Sequence, residues 1–274
     1  MTTKLLNKIS RLSDLSNAEI VHQPLNEIEI AEGNYIVRFA RSWTEIDAAL
    51  RLRFAVFNLE LGEGLQTSYL TGRDEDKFDR FAFHLICLEK NTNEIVGTYR
   101  LQIWETACTV SGFYTSTEFK LGELPLEVLT AGLEMGRACI ARQHRHTKVL
   151  FLLWKGLARL AKLQGKRYFF GCCSLTSQSE EEGFKVFRLL QKGNSFHESF
   201  WVAPQAGYLL RGDIFENTDI AVKLPKLFQT YLRFGAKVCS PPAIDRDFQT
   251  IDFFVLFDLE TIDQRIRKMF FDLV

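Results

Sequence analysis

The sequence predicts an α/β fold: a mixed central sheet flanked by helices, with an insertion and a C-terminal extension of strand and helix. From Leu133 to Leu175 a strand, a basic loop, a helix and a second strand follow one another, as in a crossover between parallel strands. Before it, the runs 81–89 and 94–102, joined by Asn91-Thr92-Asn93, predict an antiparallel hairpin. After it, the apolar run 251–259 predicts a late strand.

Length and charge limit the classes of protein that this sequence can encode. A length of 274 residues fits one large domain or two small ones. The mixed succession of elements, without an internal repeat, predicts one principal domain, residues 34–274, after an N-terminal extension of residues 1–33. Lys plus Arg and Asp plus Glu both number 34, so the zero net charge argues against bulk binding of nucleic acid. The 24 Phe residues indicate a large core, or a core that also lines a tunnel for an apolar ligand.

Cysteine usage and the lack of long apolar runs predict a cytoplasmic protein. The six cysteines show no C-x-x-C spacing and no small disulfide scaffold. Cys172 and Cys173 fall in an apolar strand, so we expect buried thiols there, and we expect no metal site. No apolar run approaches the ~20 residues of a membrane span. The segment from Lys4 to Leu15 predicts a helix packed on its own domain or a frayed terminus. A membrane-surface helix, and with it membrane association, is the alternative.

A strand and a capped helix open the predicted domain. Tyr35 to Ala40 has the pattern of a strand. Ser42, with Glu45 three residues later, predicts the N-cap of a helix from Trp43 to about Leu61. Gly62 follows the last apolar position and ends that helix.

Charged residues around the hairpin are the first candidates for a site. The acidic segment 74–79 indicates either a surface loop or a site for a substrate ammonium group. Arg100 lies in a central strand, where an unpaired charge is costly, so it indicates binding of an anion or a carboxylate. His84 is similarly placed, although a single strand histidine is more often structural. Gly97 predicts a bulge or the close approach of a ligand to the backbone.

We expect function to lie at the opening of the unit from Leu133 to Leu175. Its first strand carries Glu134 and Arg137, three residues apart. The amphipathic helix that follows ends at Gly165, a suitable left-handed C-cap. The loop between them presents backbone N–H groups at a helix N-terminus, which suits an anion.

The remainder of the chain predicts an insertion and the C-terminal extension. Segment 176–225 contains a helix start at Ser177 to Glu182 and an aromatic stretch, which indicates an insertion packed on the core or a lid over a ligand. Leu224 to Gly235 predicts a helix that begins at a proline and ends at a glycine. Residues 261–273 predict a terminal helix.

Several segments carry a resemblance to a known family: LRLRFAVFNLELG, DEDKFDRFAFHLICL, EIVGTYRL, LEMGRACI, VLFLLWKGLARLA, YFFGCCSL and LPKLFQTYLRFGAKVCSPPAIDRDFQTIDFFVLFDL. In number and order they resemble the Gcn5-related N-acyltransferase (GNAT) superfamily. Within it, the chain is most similar to the ornithine acyl-carrier-protein N-acyltransferase branch, sometimes labelled hemolysin-like. Acyl-homoserine-lactone synthases are more distantly similar, through Arg53, Arg100 and the E-x-x-R from Glu134 to Arg137.

The resemblance implies a GNAT-like fold and transfer of a (3-hydroxy)fatty acyl group from acyl carrier protein to an amino-acid α-amine, giving lyso-ornithine lipid when the acceptor is ornithine. It implies Glu134 as the base or amine-positioning residue. It also implies that Arg100 and Arg137 hold the substrate carboxylate or a carboxylate partner; a structural Glu134–Arg137 ion pair is the alternative. The candidate substrate-binding residues are Arg53, Asp76, Asp79 and His84. No cofactor beyond the acyl donor is expected.

One departure from the family concerns the acyl donor. The acetyl-CoA branch has glycines in its pyrophosphate loop, whereas the corresponding segment here, Arg142 to Thr147, has none. A β-carbon there hinders close approach of the backbone to a pyrophosphate, so the phosphopantetheine of a carrier protein is favoured over coenzyme A. The basic residues expected to dock an acidic carrier protein, unless they form an ordinary solvated face, are Arg142, Arg145, Lys148, Lys155 and Arg159.

A second departure concerns the acceptor. Phe83 stands where many relatives have an acidic residue, which brings ornithine as the acceptor into question. The alternatives are a synthase of another N-acyl amino acid, such as N-acyl glycine, and a homoserine-lactone-type synthase. A non-catalytic acyl-binding protein is the alternative from another class, and the charges of Glu134 and Arg100 argue against it.

Overall fold

The computed structural model of the chain describes residues 27–109, 112–145, 147–211 and 222–271. Its strands are β1 Glu29–Glu32, β2 Tyr35–Phe39, β3 Phe83–Glu89, β4 Ile95–Ile103, β5 Gly132–Ile140, β6 Tyr168–Leu175, β7 Lys237–Val238, β8 Ala243–Asp245 and β9 Thr250–Asp258. Its α-helices are α1 Trp43–Phe54, α2 Ser68–Thr71, α3 Trp104–Ala107, α4 Leu126–Thr130, α5 Thr147–Leu163, α6 Glu180–Lys192, α7 Lys226–Phe234 and α8 Gln264–Phe270. Short 3₁₀ helices lie at Tyr114–Thr117, Leu121–Glu123, Arg142–His144 and Ala206–Tyr208.

The described strands form one mixed sheet in the order β1-β2-β3-β4-β5-β6-β9-β7, with β8 paired to β9. Neighbours from β1 to β5 are antiparallel, β5 and β6 are parallel, and β6 pairs antiparallel with β9. The crossover through α5 joins the parallel pair, because a tight turn cannot connect parallel strands. The predicted mixed sheet flanked by helices is confirmed.

β1 lies within the segment that the sequence assigned to an N-terminal extension. It pairs with β2 from Glu29 opposite Arg38 to Glu32 opposite Tyr35. Ile30 is buried in the main core, so the sheet begins before the predicted boundary at residue 34. The predicted helix from Lys4 to Leu15 lies outside the described residues.

The first helix begins as predicted and changes type in its second half. The Ser42 hydroxyl accepts a hydrogen bond from the Glu45 N–H at 3.2 Å, which confirms the N-cap. The predicted helix to Leu61 is α-helical only as far as Phe54, because Ala55–Leu61 forms a π-helix. Segments of π-helix are rare and frequently lie at functional sites. Gly62, with a φ of 70°, ends the helix.

Apolar side chains pack on both faces of the sheet. α5 crosses one face and buries Trp154 against the aromatic residues of neighbouring elements. Its backbone approaches the sheet closely, since a β-carbon on Gly156 would lie 3.0 Å from the Leu85 side chain. A second cluster covers the opposite face and includes Phe119, Phe170 and Phe254. The high phenylalanine content is therefore used largely in the core.

β5 and β6 separate after three paired positions, the last of which joins Glu134 to Phe170. Gly171 lies at the point of separation, where a β-carbon would be 2.2 Å from the Met135 carbonyl oxygen, so glycine is required. On its other edge β5 has a bulge opposite β4, in which Arg137 takes a φ of 50°. Bulges bend the strand that carries them, and this one lies beside the gap between β5 and β6.

The later elements agree with the sequence in kind. Ser179 caps α6, Pro225 precedes α7, and Gly235, with a φ of 103°, ends α7. α8 begins at Gln264, three residues later than predicted, because Asp263 is its N-cap. Residues 212–221 lie outside the described residues, so a lid in segment 176–225 stays a prediction. Within the described residues, none of the helices has the length and apolar character needed to cross a membrane.

Candidate active site

A cavity of about 260 Å³ opens where β5 and β6 separate. Met135 to Ala138 of β5 and Cys172 to Ser174 of β6 contribute to its lining. β5 has no register partner on this side beyond Glu134, so its backbone polar groups face the cavity and not a strand. The site predicted at the opening of this unit is thus a cavity within the sheet.

The two ends of the cavity differ because adjacent strand residues point to opposite faces of the sheet. The end on the α5 face is mostly apolar and is lined by Met135, Cys173, Pro225, Leu227, Phe228 and Tyr231. The Tyr231 hydroxyl forms a hydrogen bond with the Tyr99 hydroxyl at 2.6 Å. The charged and amide side chains of the lining are Glu63, Arg100, Gln102, Glu118, Glu134, Arg137 and Asp252. The cavity can therefore hold an apolar chain at one end and a charged molecule at the other.

Glu134 is buried in this lining and held by backbone groups. It accepts hydrogen bonds from the N–H of Thr115 at 2.7 Å and of Tyr114 at 3.0 Å. Burial raises the pKa of Glu134 above its ordinary value, and the hydrogen bonds from Thr115 oppose that rise. The predicted alternative of an ion pair with Arg137 is not found, since Arg137 pairs with aspartates. Glu134 is therefore oriented by neutral donors and keeps acceptor capacity for a ligand.

Arg100 also lines the cavity and is held by carboxylates from outside it. Its Nη1 lies 2.6 Å from Asp76 and 3.3 Å from Asp79. Its Nη2 is buried and has no hydrogen-bond partner among the described residues. The same is true of the Nε2 of Gln102, two residues along β4 on the same face. Two buried donors in the cavity lining thus remain for a ligand acceptor.

Arg137 is fixed between aspartates and two aromatic rings. Its guanidinium lies 3.3 Å from Asp74 and 3.2 Å from Asp76. The guanidinium carbon lies 4.5 Å from the ring centre of Tyr114 and 4.2 Å from that of Phe248, within the range of cation–π contacts. The left-handed backbone of Arg137 at the bulge directs the side chain into this arrangement.

Arg53, Asp79 and His84 lie behind the cavity and not in its lining. Arg53, 1% exposed, binds Asp74 and Asp79 at 2.6 Å each. Burial alone would raise the pKa of Asp79, but Arg53 and Arg100 hold it well below its ordinary value. His84 Nε2 lies 2.9 Å from the Asp79 carbonyl oxygen, and burial lowers the pKa of His84 to about 4.

Asp76 also lies outside the lining and contacts it through Arg100 and Arg137. The structure therefore favours a positioning role for Arg53, Asp76, Asp79 and His84, in place of the predicted direct contact with substrate. The sequence analysis named these four residues as substrate-binding and did not predict the ion pairs that Arg53 forms with carboxylates.

Three carboxyl groups of the lining were missed by the sequence analysis. Burial raises the pKa of Glu63 to about 7 and that of Asp252 to about 6. Burial also raises the pKa of Glu118 well above its ordinary value, and Asp252 and Asp245 add to the rise. The signal was present for Asp252, an acid in an otherwise apolar strand, where a charge is as costly as Arg100 is in β4. Glu63 and Glu118 lie in irregular segments that carry no such signal.

Glu118, Asp245 and Asp252 form a compact group, with one carboxylate oxygen of each within 4.8 Å of the others. No ion pair joins these three acids to a cation in the described part of the chain. Such a group suits a cation, whether a metal ion or an ammonium group. The sequence predicted no metal site, and this group is the one place among the described residues that bears on that prediction.

The basic residues predicted to dock a carrier protein are mostly paired with their own chain. Arg145 binds Glu60 through two hydrogen bonds of 2.6 and 2.7 Å. Lys155 lies 3.0 Å from Glu32, and Lys148 lies 3.8 Å from the same side chain. Arg159 donates to the Glu29 carbonyl oxygen at 2.9 Å, and Arg142 is exposed. This face is thus less positive than the sequence suggests, and docking there stays a prediction.

Two backbone N–H groups of the segment after β5 are used within that segment. The N–H of His144 donates to Ala141 and that of Arg145 to Arg142, within a 3₁₀ turn. The His144 ring hydrogen bonds with the Tyr35 hydroxyl at 3.0 Å. These groups are not arranged to wrap a pyrophosphate.

Phe83 is buried in the main core, against Phe39, and does not line the cavity. An acidic residue at this position in relatives therefore does not indicate which acceptor binds in this cavity. The doubt that Phe83 raised about ornithine loses its structural basis.

The chain is similar to known acyltransferases. A family profile described as an acetyltransferase (GNAT) domain matches residues 52–155. The L-ornithine N(alpha)-acyltransferase of Rhizobium meliloti (strain 1021) is 30% identical, over 97% of this chain and 94% of its own. The protein of the same name from Brucella abortus (strain 2308) is 30% identical, over 85% of this chain and 87% of its own.

The solved structures that resemble this chain are more distant. The acyl-homoserine-lactone synthase LasI is 11% identical, with a TM-score of 0.47 over 87% of this chain and 95% of its own. FeeM, an N-acyl amino acid synthase from uncultured soil microbes, is 10% identical, with a TM-score of 0.44 over 87% of this chain and 96% of its own.

Proposed function

This chain belongs to the L-ornithine N(alpha)-acyltransferase family and is an acyltransferase, and we propose that it acylates ornithine from an acyl carrier protein. The α-amine of ornithine attacks the thioester carbonyl of a fatty acyl group, which is a 3-hydroxyacyl group in the form we favour. The new C–N bond forms, the C–S bond breaks and the carrier's thiol leaves. The product is lyso-ornithine lipid.

The observation that carries this proposal is the two-ended cavity between β5 and β6. An acyl chain fits the apolar end formed by α7 and the facing side of β5. A charged amino acid fits the polar end, where Arg100 and Gln102 have unpartnered donors for its carboxylate. The two reactants meet at the gap between the strands, where β5 has no described register partner on its β6 side, so a backbone N–H that faces the gap would stabilise an oxyanion.

Glu134 is the residue we propose for the amine. An amino acid enters with its α-amine protonated, and attack requires the neutral amine. The carboxylate of Glu134 is fixed by the N–H groups of Thr115 and Tyr114, which leaves lone pairs to accept that proton. Its raised pKa makes it a stronger base than an exposed glutamate.

The described residues of the segment after β5 support the choice of donor. Because the N–H groups of His144 and Arg145 are used within their own turn, they are not available to a pyrophosphate. This supports a phosphopantetheine carrier, with one phosphate, over coenzyme A.

Mass spectrometry of products tests the proposal. The protein is mixed with 3-hydroxyacyl carrier protein and a pool of amino acids, and separately with the matching acyl-CoA. We expect acyl-ornithine from the carrier-protein reaction. Acylation of another amine would retire ornithine, product from acyl-CoA alone would overturn the choice of donor, and no product with either would contradict the proposed function.

A further inference from the structure

We propose that Glu118 and Asp252 bind the side-chain ammonium group of the acceptor and so select a diamino acid over an apolar one. This inference rests on the proposed function and assigns its substrate selectivity to two residues. Both side chains line the polar end of the cavity. Asp245 supports them from behind, outside the lining.

The acidic group at the polar end of the cavity lacks a balancing positive charge among the described residues. Three carboxyl groups lie together at Glu118, Asp245 and Asp252, and none has an ion-pair partner in the described part of the chain. The donors that do reach them are neutral. Ser174 and Thr250 hydroxyls donate to Asp252, and the Cys172 thiol lies 3.5 Å from Glu118. A cation is the ligand that would stabilise this group most.

The Gln102 side chain is an unpartnered hydrogen-bond donor in the same cavity. Gln102 is 2% exposed and its amide nitrogen has no partner among the described residues. It is paired across the strands with Glu134, so both side chains leave the sheet on the same face. A carboxylate accepted there places the α-amine of an amino acid beside Glu134. The ligand thus has a fixed orientation, with its side chain free to extend away from Glu134.

Cys172 and Thr115 lie between the α-amine position at Glu134 and the acidic group, along the path open to the side chain of the amino acid. Thr115, which donates its N–H to Glu134, lies 4.0 Å from the Cys172 sulfur through its hydroxyl. Glu118 contacts the same sulfur. Glu118 therefore lies beside Cys172, and Glu134 lies beside Thr115, which contacts the same sulfur. A short diamino acid with its α-amine at Glu134 extends its side chain toward Glu118.

The arrangement favours an ammonium group over a metal ion. One Asp245 oxygen already accepts the N–H groups of Asp247 and Phe248, and Tyr114 reaches the other at 3.4 Å. Each Asp252 oxygen accepts a hydroxyl proton. An ammonium group needs one lone pair from each acid, whereas Ca²⁺ or Mg²⁺ takes six or more oxygen ligands, most of which waters would have to supply here.

The test compares Glu118→Gln and Asp252→Asn with two matched controls, Glu127→Gln and Asp247→Asn. Both control positions are exposed and outside the cavity lining. Each protein is assayed with the same acyl carrier protein donor and either ornithine or norvaline, which has the same carbon chain without the side-chain amine. We expect kcat/KM for ornithine to fall about tenfold to a hundredfold in Glu118→Gln and Asp252→Asn. Norvaline turnover should be unchanged or higher, and the controls should match wild type.

Equal losses with both amino acids would overturn the inference, because they indicate damage to the fold or to the chemistry. An unchanged preference for ornithine would overturn it too. Ornithine-dependent thermal stabilisation gives a second readout that needs no turnover, and it should be lost in both variants. Activity lost on dialysis against EDTA and restored by Mg²⁺ would identify a metal site and contradict an ammonium site. If the wild-type protein acylates no ornithine, the proposed function itself is wrong. If the wild-type protein acylates ornithine and both variants retain this activity, only the inference about Glu118 and Asp252 is overturned.

Discussion

Two groups of buried charges lie near β5, and they differ in balance. Between α1 and β4, Arg53, Arg100 and Arg137 face Asp74, Asp76 and Asp79, so three positive groups meet three negative ones. Beside β6 and β9, Glu118, Asp245 and Asp252 meet without a cation. Buried charges are costly unless paired, so a balanced group can be structural, whereas an unbalanced one is best explained by a ligand. The following predictions test this difference.

The largest effect should come from breaking the balanced group. Arg53→Ala removes the guanidinium that lies 2.6 Å from both Asp74 and Asp79, so the free energy of unfolding should fall by about 3 to 5 kcal/mol. Denaturant titration measures this loss. Arg51→Ala on the same helix removes an exposed pair with Asp47 and should cost about 0.5 kcal/mol or less. Similar losses in both variants would contradict a structural role specific to Arg53.

Glu134→Gln should abolish most turnover and leave the fold intact. Gln keeps one oxygen to accept an N–H from the 114–115 turn but cannot take a proton from the amine, so kcat should fall about 10²- to 10⁴-fold. Single-turnover kinetics and far-ultraviolet circular dichroism measure both properties. Wild-type turnover in this variant would remove Glu134 from the mechanism.

Neutralising one acid of the unbalanced group should raise the free energy of unfolding, whereas Arg53→Ala should lower it. Asp252→Asn relieves repulsion among three carboxyl groups, and the Ser174 and Thr250 hydroxyls can still donate or accept. The free energy of unfolding at pH 8 should rise by about 1 to 2 kcal/mol, with function reduced. Denaturant titration at pH 8, beside Asp247→Asn as the control, measures the gain. Destabilisation by Asp252→Asn would mean that this group is structural after all.

The pH dependence of that gain follows from the raised pKa of Asp252, about 6 against an ordinary value near 4. The folded protein holds this proton more tightly than the unfolded chain does. Asp252 therefore favours the fold fully at pH below about 4, and this contribution is lost as the pH rises through about 6. The advantage of Asp252→Asn should be full above about pH 7 and absent below about pH 4. A constant advantage across this range would contradict the assigned ionisation.

A smaller effect is expected on ornithine binding. Because Asp252, with a pKa of about 6, must be ionised to attract a cation, KM for ornithine should fall about fourfold between pH 5.5 and 7.5. Steady-state kinetics over this range, with norvaline as the uncharged comparison, measures the effect. Parallel profiles for the two amino acids would assign the pH dependence to Glu134 or the α-amine instead.

The sequence could predict those features of the fold and the site that local patterns define. Elements defined by local patterns were found with their caps, among them the Ser42 N-cap and the crossover through α5. Arg100 was recognised because a charge in a buried strand is costly, and its carboxylate partners were among the predicted site residues. The π-helical turn at 55–61 was missed because no local pattern distinguishes it from an α-helix.

The unbalanced acids were harder to predict because chain positions far apart form the group. Glu118 comes from an irregular segment, Asp245 from the end of β8 and Asp252 from β9, and only the fold places them within 4.8 Å. Asp252 alone carried the signal that identified Arg100. A systematic search for acids in apolar strands would have included it.

Calorimetry of ornithine binding tests the central claim most directly. The heat is measured near pH 6.5 in two buffers with different ionisation enthalpies, which reports protons released on binding. The account predicts that ornithine releases more protons than norvaline, because an ammonium group beside Glu118 and Asp252 favours their ionised forms, and that Asp252→Asn reduces the difference. Equal proton release by ornithine and norvaline in the wild-type protein would contradict it.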